Sequence, residues 1–135
     1  MAELLVNIDV DDLDRAVRFY RDAFDLREGR RFGRDAAELV GGSSRIYLLA
    51  KAAGSASSAA GGPRGYGRHW TPVHLDFVVD DLDAAVLRAE RAGAVREGAT
   101  QEQKWGRLAV LADPFGHGLC LVQFLGRGYD EVTTG

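Results

Sequence analysis

Residues 11–17, with the sequence DDLDRAV, decide the fold because they return at residues 80–86 as DDLDAAV. Six of the seven positions are identical, at an offset of 69 residues. A strand-like segment precedes each copy, at residues 6–10 and 75–79. Self-similarity at a fixed offset is the signature of duplicated structural units. The sequence therefore predicts two related modules.

Each copy predicts a strand, an acidic cap and then a helix. Asp11 or Asp12 can accept hydrogen bonds from the first free N–H groups of the first helix, and the second copy has the same acidic pair. Gly93 is placed where a helix commonly ends in a left-handed residue. Apolar residues at helical spacing predict a core-facing stripe on each helix: Leu13, Ala16, Val17, Tyr20 and Phe24, then Leu82, Ala85, Val86 and Ala89.

Short strands are predicted after each helix. They lie at 27–32, 36–41 and 45–50 in the first half, and at 94–97, 101–105, 107–112 and 119–124 in the second. The first two segments of the second half can also be one strand and its connection. Residues 113–116, DPFG, have the chemistry of a tight turn and predict a hairpin between the last two strands. Each half is therefore a β-α-β-β-β unit.

The chain of 135 residues fits one domain, spanning 1–135. Module one is expected at about 3–51, a connector at 52–72 and module two at about 73–125. The connector is rich in Gly, Ala and Ser, but its end carries Tyr66, Arg68, His69 and Trp70. It is either a flexible spacer or a functional loop, since loops often carry binding residues.

Composition excludes several classes of protein. The chain is 46% hydrophobic and 27% charged, with a net charge of −3, which predicts neither a nucleic-acid groove nor a membrane surface as partner. Cys120 is the only cysteine, so there is no internal disulfide and no thiolate zinc cluster. The sequence has no signal-like start and no apolar run of 18 residues, and a cytoplasmic location is expected.

The alternation of side chains along a strand sorts the polar residues of the two opening strands. Asn7 and Asp9 point away from the first helix, and His74 and Asp76 point away from the second. On a flat sheet these faces are wet outer surfaces. On a strongly curled sheet they form the wall of a polar pocket. The residues alone leave both possibilities open.

The pattern resembles the vicinal oxygen chelate superfamily of glyoxalase I, bleomycin resistance proteins and extradiol dioxygenases. The resemblance lies in residues 12–26, in their repeat from Asp81, and in Asp113-Pro114-x-Gly116 before a final apolar strand. It implies an α+β fold in which two tandem βαβββ modules form a curled mixed sheet, with a concave cavity and with the helices on the outer face. It also implies a small organic ligand and a homodimer.

The resemblance implies four metal positions, at Leu5, Tyr47, His74 and Cys120. Leu5 has no donor atom, and Tyr47 is protonated at neutral pH, so a complete site for Zn, Ni, Fe or Mn is not expected. Asp76 or Asn7 can be recruited beside His74. A His-x-Asp iron motif with His117, and a Cys120–His74 nucleophile, are weaker alternatives.

The favoured function is small-molecule binding without a complete metal site. Asn7, Tyr47 and Asp76 are expected to give polar contacts, Trp70 and Trp105 apolar walls, and Arg68 and Arg107 a clamp for an acidic group, although such side chains are often core or plain surface. The alternative is a metal-dependent lyase, isomerase or dioxygenase, with His74 as the catalytic residue. A role in binding a protein partner also remains.

Overall fold

The duplicated segment forms a strand followed by a helix in both halves of the chain. A computed structural model describes residues 1–58 and 61–135. The chain divides into two compact units, Met1–Gly67 and Arg68–Gly135, and this boundary falls within the connector that the sequence predicts. No helix of the described residues is long and apolar enough to cross a membrane.

The first unit contains one helix and one four-stranded mixed sheet. Its elements are β1 (Val6–Val10), α1 (Leu13–Phe24), β2 (Arg27–Phe32), β3 (Ala36–Val40) and β4 (Ile46–Ala50). The strands lie in the order β1-β4-β3-β2, with β1 parallel to β4 and the other pairs antiparallel. A parallel pair needs a long crossover connection, which here contains α1, β2 and β3.

The second unit repeats this arrangement with an interrupted edge. Its elements are β5 (Leu75–Val78), α2 (Leu82–Ala92), β6 (Val95–Arg96), β7 (Gln101–Gln103), β8 (Gly106–Ala112) and β9 (Gly118–Phe124), followed by a short 3₁₀ helix, Gly128–Val132. The strand order is β5-β9-β8-β6, with β7 also paired to β8. The two predicted β-α-β-β-β modules and the α+β class are confirmed.

The acidic caps of both helices are made by the second aspartate of each pair. The Asp12 carboxylate accepts a hydrogen bond from the Arg15 N–H at 3.1 Å, and Asp81 accepts one from the Ala84 N–H at 3.2 Å. Asp25 and Gly93 end the helices with positive φ angles of 55° and 123°. The repeated sequence thus encodes a repeated local structure.

Each helix packs on one face of its own sheet. In the first unit Tyr20, on α1, and Leu48, on β4, are among the largest fully buried side chains. In the second unit Leu82, Leu111 and Leu121 are fully buried in the same way. The opposite face of each sheet is called its non-helix face below. Ile8 and Val10 are buried while Asn7 is exposed, as the alternation along β1 predicts.

The edge of the second sheet differs in detail from the prediction. The segments predicted at 94–97 and 101–105 are two separate short strands, β6 and β7, and both pair with β8. Gly98, between them, has a φ angle of +92°, which favours glycine and interrupts the edge. The terminal 3₁₀ helix has no counterpart in the predicted elements.

The connector belongs partly to each unit. Arg64 forms an ion pair with Asp9 of β1 at 2.8 Å, and its side chain is only 15% exposed. The Tyr66 hydroxyl donates to the carbonyl of Lys51 at 2.7 Å. Residues 59 and 60, inside the predicted connector, lie outside the described part. The described residues up to Gly67 are therefore anchored to the first unit.

Candidate functional site

Three potential metal-binding or proton-transfer groups meet on the non-helix face of the second sheet. Asp76 on β5 pairs in register with Cys120 on β9, so their side chains share a face. His74 lies two residues before Asp76 and points the same way. Its Nε2 is 3.1 Å from Asp76 Oδ1. The ligating atoms of His74, Asp76 and Cys120 all lie within 4.8 Å of one another.

Burial and the charge of Asp76 together keep the cysteine protonated. Cys120 is 8% exposed, and burial together with the carboxylate of Asp76, which is hydrogen-bonded to the thiol, raises the pKa of Cys120 to about 11. Both causes disfavour the thiolate, because burial removes water and Asp76 adds a like charge. Cys120 is therefore a thiol at neutral pH, which counts against the predicted nucleophile.

A cavity of about 240 Å³ opens beside this group. It is lined by residues of the second unit alone, namely Arg68, Trp70, Thr71, His74, Val110, Gly118, Leu119 and Cys120. The structure thus brings the predicted ligand-binding residues Arg68 and Trp70 to the same place as His74. The Trp70 side chain is 82% exposed, which leaves its ring open to a ligand.

Arg68 is fixed at the edge of this cavity. Its Nε and Nη2 donate to the two carboxylate oxygens of Glu97 at 2.8 and 3.0 Å, and its Nη1 donates to the carbonyl of His69. A Cβ added at Gly118 would lie 2.5 Å from Arg68 Nη2, so glycine permits this approach. The predicted clamp residue is therefore already bound by a carboxylate of its own unit.

A second polar group, on the non-helix face of the first sheet, was missed in part by the sequence analysis. Asn7 and Tyr47 are paired in register, and Tyr47 is paired in turn with Glu38. The Tyr47 hydroxyl donates to Glu38 Oε2 at 2.9 Å, and Arg30 Nη2 donates to the same oxygen at 2.7 Å. We call Asn7, Tyr47, Glu38 and Arg30 the polar row.

Glu38 had a signal in the sequence. It is the one charged residue of the strand AAELV, and a buried charge requires a partner. The hydrogen bonds from Arg30 are the largest cause that lowers the pKa of Glu38, to about 2. The carboxylate is therefore ionised at all physiological pH values. Its partner Arg30 lies on a strand whose residues are all exposed, and it had no comparable signal.

Two of the four metal positions implied by the resemblance offer no available ligand. Leu5 offers no donor, and the hydroxyl of Tyr47 is committed to Glu38. The donor chemistry that fits a divalent cation is instead the group His74, Asp76 and Cys120, with one nitrogen, one oxygen and one sulfur ligand. His117, predicted as a remote iron ligand, is not a member of that group.

Two other predicted ligand-binding residues lie elsewhere in the second unit. The Trp105 ring packs 6.0 Å from the ring of Phe124 and 5.2 Å from that of Tyr129, in an aromatic cluster with the chain end. Arg107 forms ion pairs with Asp83 at 3.0 Å and with Glu102 at 3.1 Å. Neither residue lines the cavity beside His74, and their roles in binding stay predictions.

Duplicated β-α-β-β-β modules, each with one helix on a mixed sheet, are the fold of the vicinal oxygen chelate superfamily, and the resemblance inferred from the sequence is confirmed. The chain belongs to the glyoxalase-like domain family, whose sequence profile matches residues 5–122.

Proteins similar to this chain include both curated sequences and solved structures. An uncharacterized protein of Mycobacterium bovis is 39% identical over 115 residues, which cover 80% of this chain and 74% of that protein. A glyoxalase/bleomycin resistance protein/dioxygenase family enzyme from Burkholderia phytofirmans is 25% identical, with a TM-score of 0.70 over 92% of this chain and 100% of its own. A fosfomycin resistance protein from Listeria monocytogenes is 16% identical, with a TM-score of 0.72 over 98% of each chain, which shows a shared fold.

Proposed function

We propose that this protein binds a small organic molecule, in the manner of the glyoxalase and bleomycin-resistance type, without the complete metal site of the catalytic relatives. The observation that carries the proposal is the cavity of about 240 Å³ beside His74, which has the open ring of Trp70 at its edge. Small-molecule sites combine an apolar wall with a few polar groups that fix orientation. Here Trp70 supplies the wall, and His74 and Asp76 supply the polar contacts.

The polar groups of this cavity are suited to orientation. Asp76 accepts a hydrogen bond from the Cys120 thiol and lies 3.1 Å from Nε2 of His74, so it contacts two of the groups beside the cavity. A ligand group near His74 therefore meets an imidazole that is paired with a carboxylate.

We further propose that the protein acts as a cytoplasmic homodimer. Gel filtration with light scattering tests the dimer directly.

A thermal-shift screen of aromatic and glycopeptide-like compounds tests the binding function. A ligand that binds only the folded state, at about a hundred times its Kd, stabilises it by ~2.7 kcal/mol. We expect hits that raise the Tm of the wild type, and a much smaller rise in Trp70→Ala and His74→Ala. Leu87→Ala, at an exposed position on α2, is the matched control and retains the full rise.

Two outcomes count against the proposal. One is a folded protein that no compound of the screen stabilises. The other is a set of hits whose effect is the same in Trp70→Ala, His74→Ala and Leu87→Ala, because such ligands bind away from the cavity.

A second candidate is a metal-dependent lyase, isomerase or dioxygenase, and the group His74, Asp76 and Cys120 favours it. A divalent metal held there would polarise oxygen atoms of a substrate. Elemental analysis of untagged protein is the test. Stoichiometric Zn, Ni, Fe or Mn that is lost in His74→Ala and kept in His69→Ala supports this function. Metal-free protein that takes up none of the four ions on dialysis contradicts it.

A further inference from the structure

A β-bulge in β2 aims one arginine onto the non-helix face of the first sheet. Glu28 pairs with Leu39, and Arg31 pairs with Ala37, so that Gly29 and Arg30 together stand opposite the single residue between them. That residue is Glu38. Bulges of this kind redirect a side chain and are found beside functional sites.

Both carboxylate oxygens of Glu38 accept hydrogen bonds from Arg30. Its Oε1 accepts from the backbone N–H of Arg30 at 3.1 Å and from Arg30 Nε at 3.2 Å. Its Oε2 accepts from Arg30 Nη2 at 2.7 Å and from the Tyr47 hydroxyl at 2.9 Å. The side chain of Glu38 is 6% exposed. Two parallel N–H···O bonds fix both the position and the plane of the guanidinium.

Gly29 makes room for this arrangement. A Cβ added at Gly29 would lie 2.6 Å from Glu38 Oε1, closer than real Cβ atoms approach other atoms. The bulge, its glycine and the buried carboxylate therefore form one built support for Arg30.

Arg30 presents its other side to the exterior. Its side chain is 66% exposed, although the carboxylate beneath it is buried. Nε and Nη2 are engaged by Glu38, and Nη2 also donates to the Tyr47 hydroxyl at 3.5 Å, while Nη1 makes no hydrogen bond with any residue that the structure describes. The guanidinium carbon lies 5.4 Å from the centre of the Phe32 ring, which is 42% exposed. The cation thus lies over the ring in a cation–π contact, and both groups remain partly exposed on the non-helix face.

We propose that Arg30 binds the oxyanion of a small planar organic acid, with Glu38 as the positioning residue and Phe32 as the surface for the planar part of the ligand. This inference goes beyond the proposed function, because it assigns a second ligand site, on the first unit, and names the class of ligand that this site takes. Arginine pairs with carboxylates and phosphonates through its flat edge, and an edge that is already held in place loses less entropy on binding. Nη1 forms that edge together with Nη2, whose hydrogen bond to the Tyr47 hydroxyl is long, at 3.5 Å.

Isothermal titration at constant ionic strength with benzoate, phenylphosphonate and neutral benzamide tests the inference. We expect at least one acid to bind the wild type at least tenfold more tightly than benzamide, and the better acid identifies the kind of oxyanion. Arg30→Gln should bring the acid and the amide to equal affinity. Arg31→Gln is the matched control, because Arg31 is on the same strand but is paired with Glu28 and Asp14. It should keep the preference for the acid.

The role of Glu38 has its own readout. Glu38→Gln keeps the size of the side chain but loses its charge, and we expect the ratio of acid to benzamide affinity to fall severalfold while benzamide binding is unchanged. A ratio that rises in Glu38→Gln would show that Glu38 only neutralises Arg30, and it overturns the positioning role. Circular dichroism confirms that each variant is folded.

The inference and the proposed function fail in different ways. If neither acid binds more tightly than benzamide, or if Arg30→Gln keeps the preference, the inference is overturned. Neutral compounds that still stabilise the protein through Trp70 and His74 would leave the proposed function standing. A protein that binds neither acids nor any compound of the thermal-shift screen overturns both.

Discussion

Asp76 is the residue that decides the chemistry of the second unit. Its carboxylate lies beside both the imidazole of His74 and the thiol of Cys120, and it adds to the burial that raises the pKa of that thiol. Because a metal needs the thiolate, a cation at this site competes with the proton on Cys120. A metal-free protein therefore keeps a neutral thiol beside the cavity.

The arginines show how little a single residue type says about binding. Arg68 and Arg107 each donate to two or more acceptors of their own unit, and Arg107 is held by both Asp83 and Glu102. Arg30 is also paired, but its partner Glu38 is buried beneath it and leaves one edge of the guanidinium exposed. All three arginines are paired with a carboxylate. Arg30 differs because its partner is buried, and this burial of the partner is what marks Arg30 as the proposed anion-binding residue.

At the scale of the strand, the bulge in β2 gives a prediction for Gly29→Ala. The added methyl group meets Glu38 Oε1, and the buried carboxylate has to leave its hydrogen bonds to make room. We expect a loss of ~1–3 kcal/mol in the free energy of unfolding, typical of overpacking. Urea denaturation measures it, and the acid preference of the binding assay should fall in parallel.

A double-mutant cycle separates this clash from a general effect of alanine. In a Glu38→Ala background the methyl group has no carboxylate to displace, so Gly29→Ala should cost little there. Gly65→Ala, at an exposed site with open space around it, is the control and should change stability by less than ~0.5 kcal/mol. An equal cost of Gly29→Ala in both backgrounds would contradict the proposed support for Arg30.

The elements themselves could be predicted from sequence because their signals are local. The repeated aspartates cap α1 and α2, and the alternation of Ile8 and Val10 with Asn7 sorts the faces of β1. The bulge could not be predicted, because it depends on how Glu38, nine residues after Gly29, fills the space over that glycine. The pairing of Arg68 with Glu97 depends in the same way on residues that are distant in sequence.

At the scale of the whole molecule, the two modules share the same arrangement of strands and helix but carry different polar residues on their non-helix faces. The position that Glu38 occupies beside Tyr47 in the first sheet is taken by Val110 beside Cys120 in the second. The first module therefore has a fixed arginine over a buried carboxylate, and the second has His74, Asp76 and Cys120 with a cavity. The repeat in the sequence predicts the shared frame, whereas the two sites lie in the positions at which the copies differ.

The stability of the whole molecule should fall in acid, chiefly through carboxylates that arginines hold ionised. Arg30 lowers the pKa of Glu38 from 4.5 to about 2, and Arg68 lowers that of Glu97. Since the folded form holds on to fewer protons, this stabilisation is complete above about pH 4.5 and is lost as the pH falls toward 2. The free energy of unfolding, measured with urea between pH 5 and 2, should therefore fall less steeply with pH in Glu38→Gln than in the wild type.

Glu3→Gln is the control, because Glu3 is an exposed carboxylate 3.8 Å from Arg45, and its free energy of unfolding should fall as steeply as that of the wild type. Identical slopes for all three proteins would mean that Arg30 does not hold Glu38 in solution.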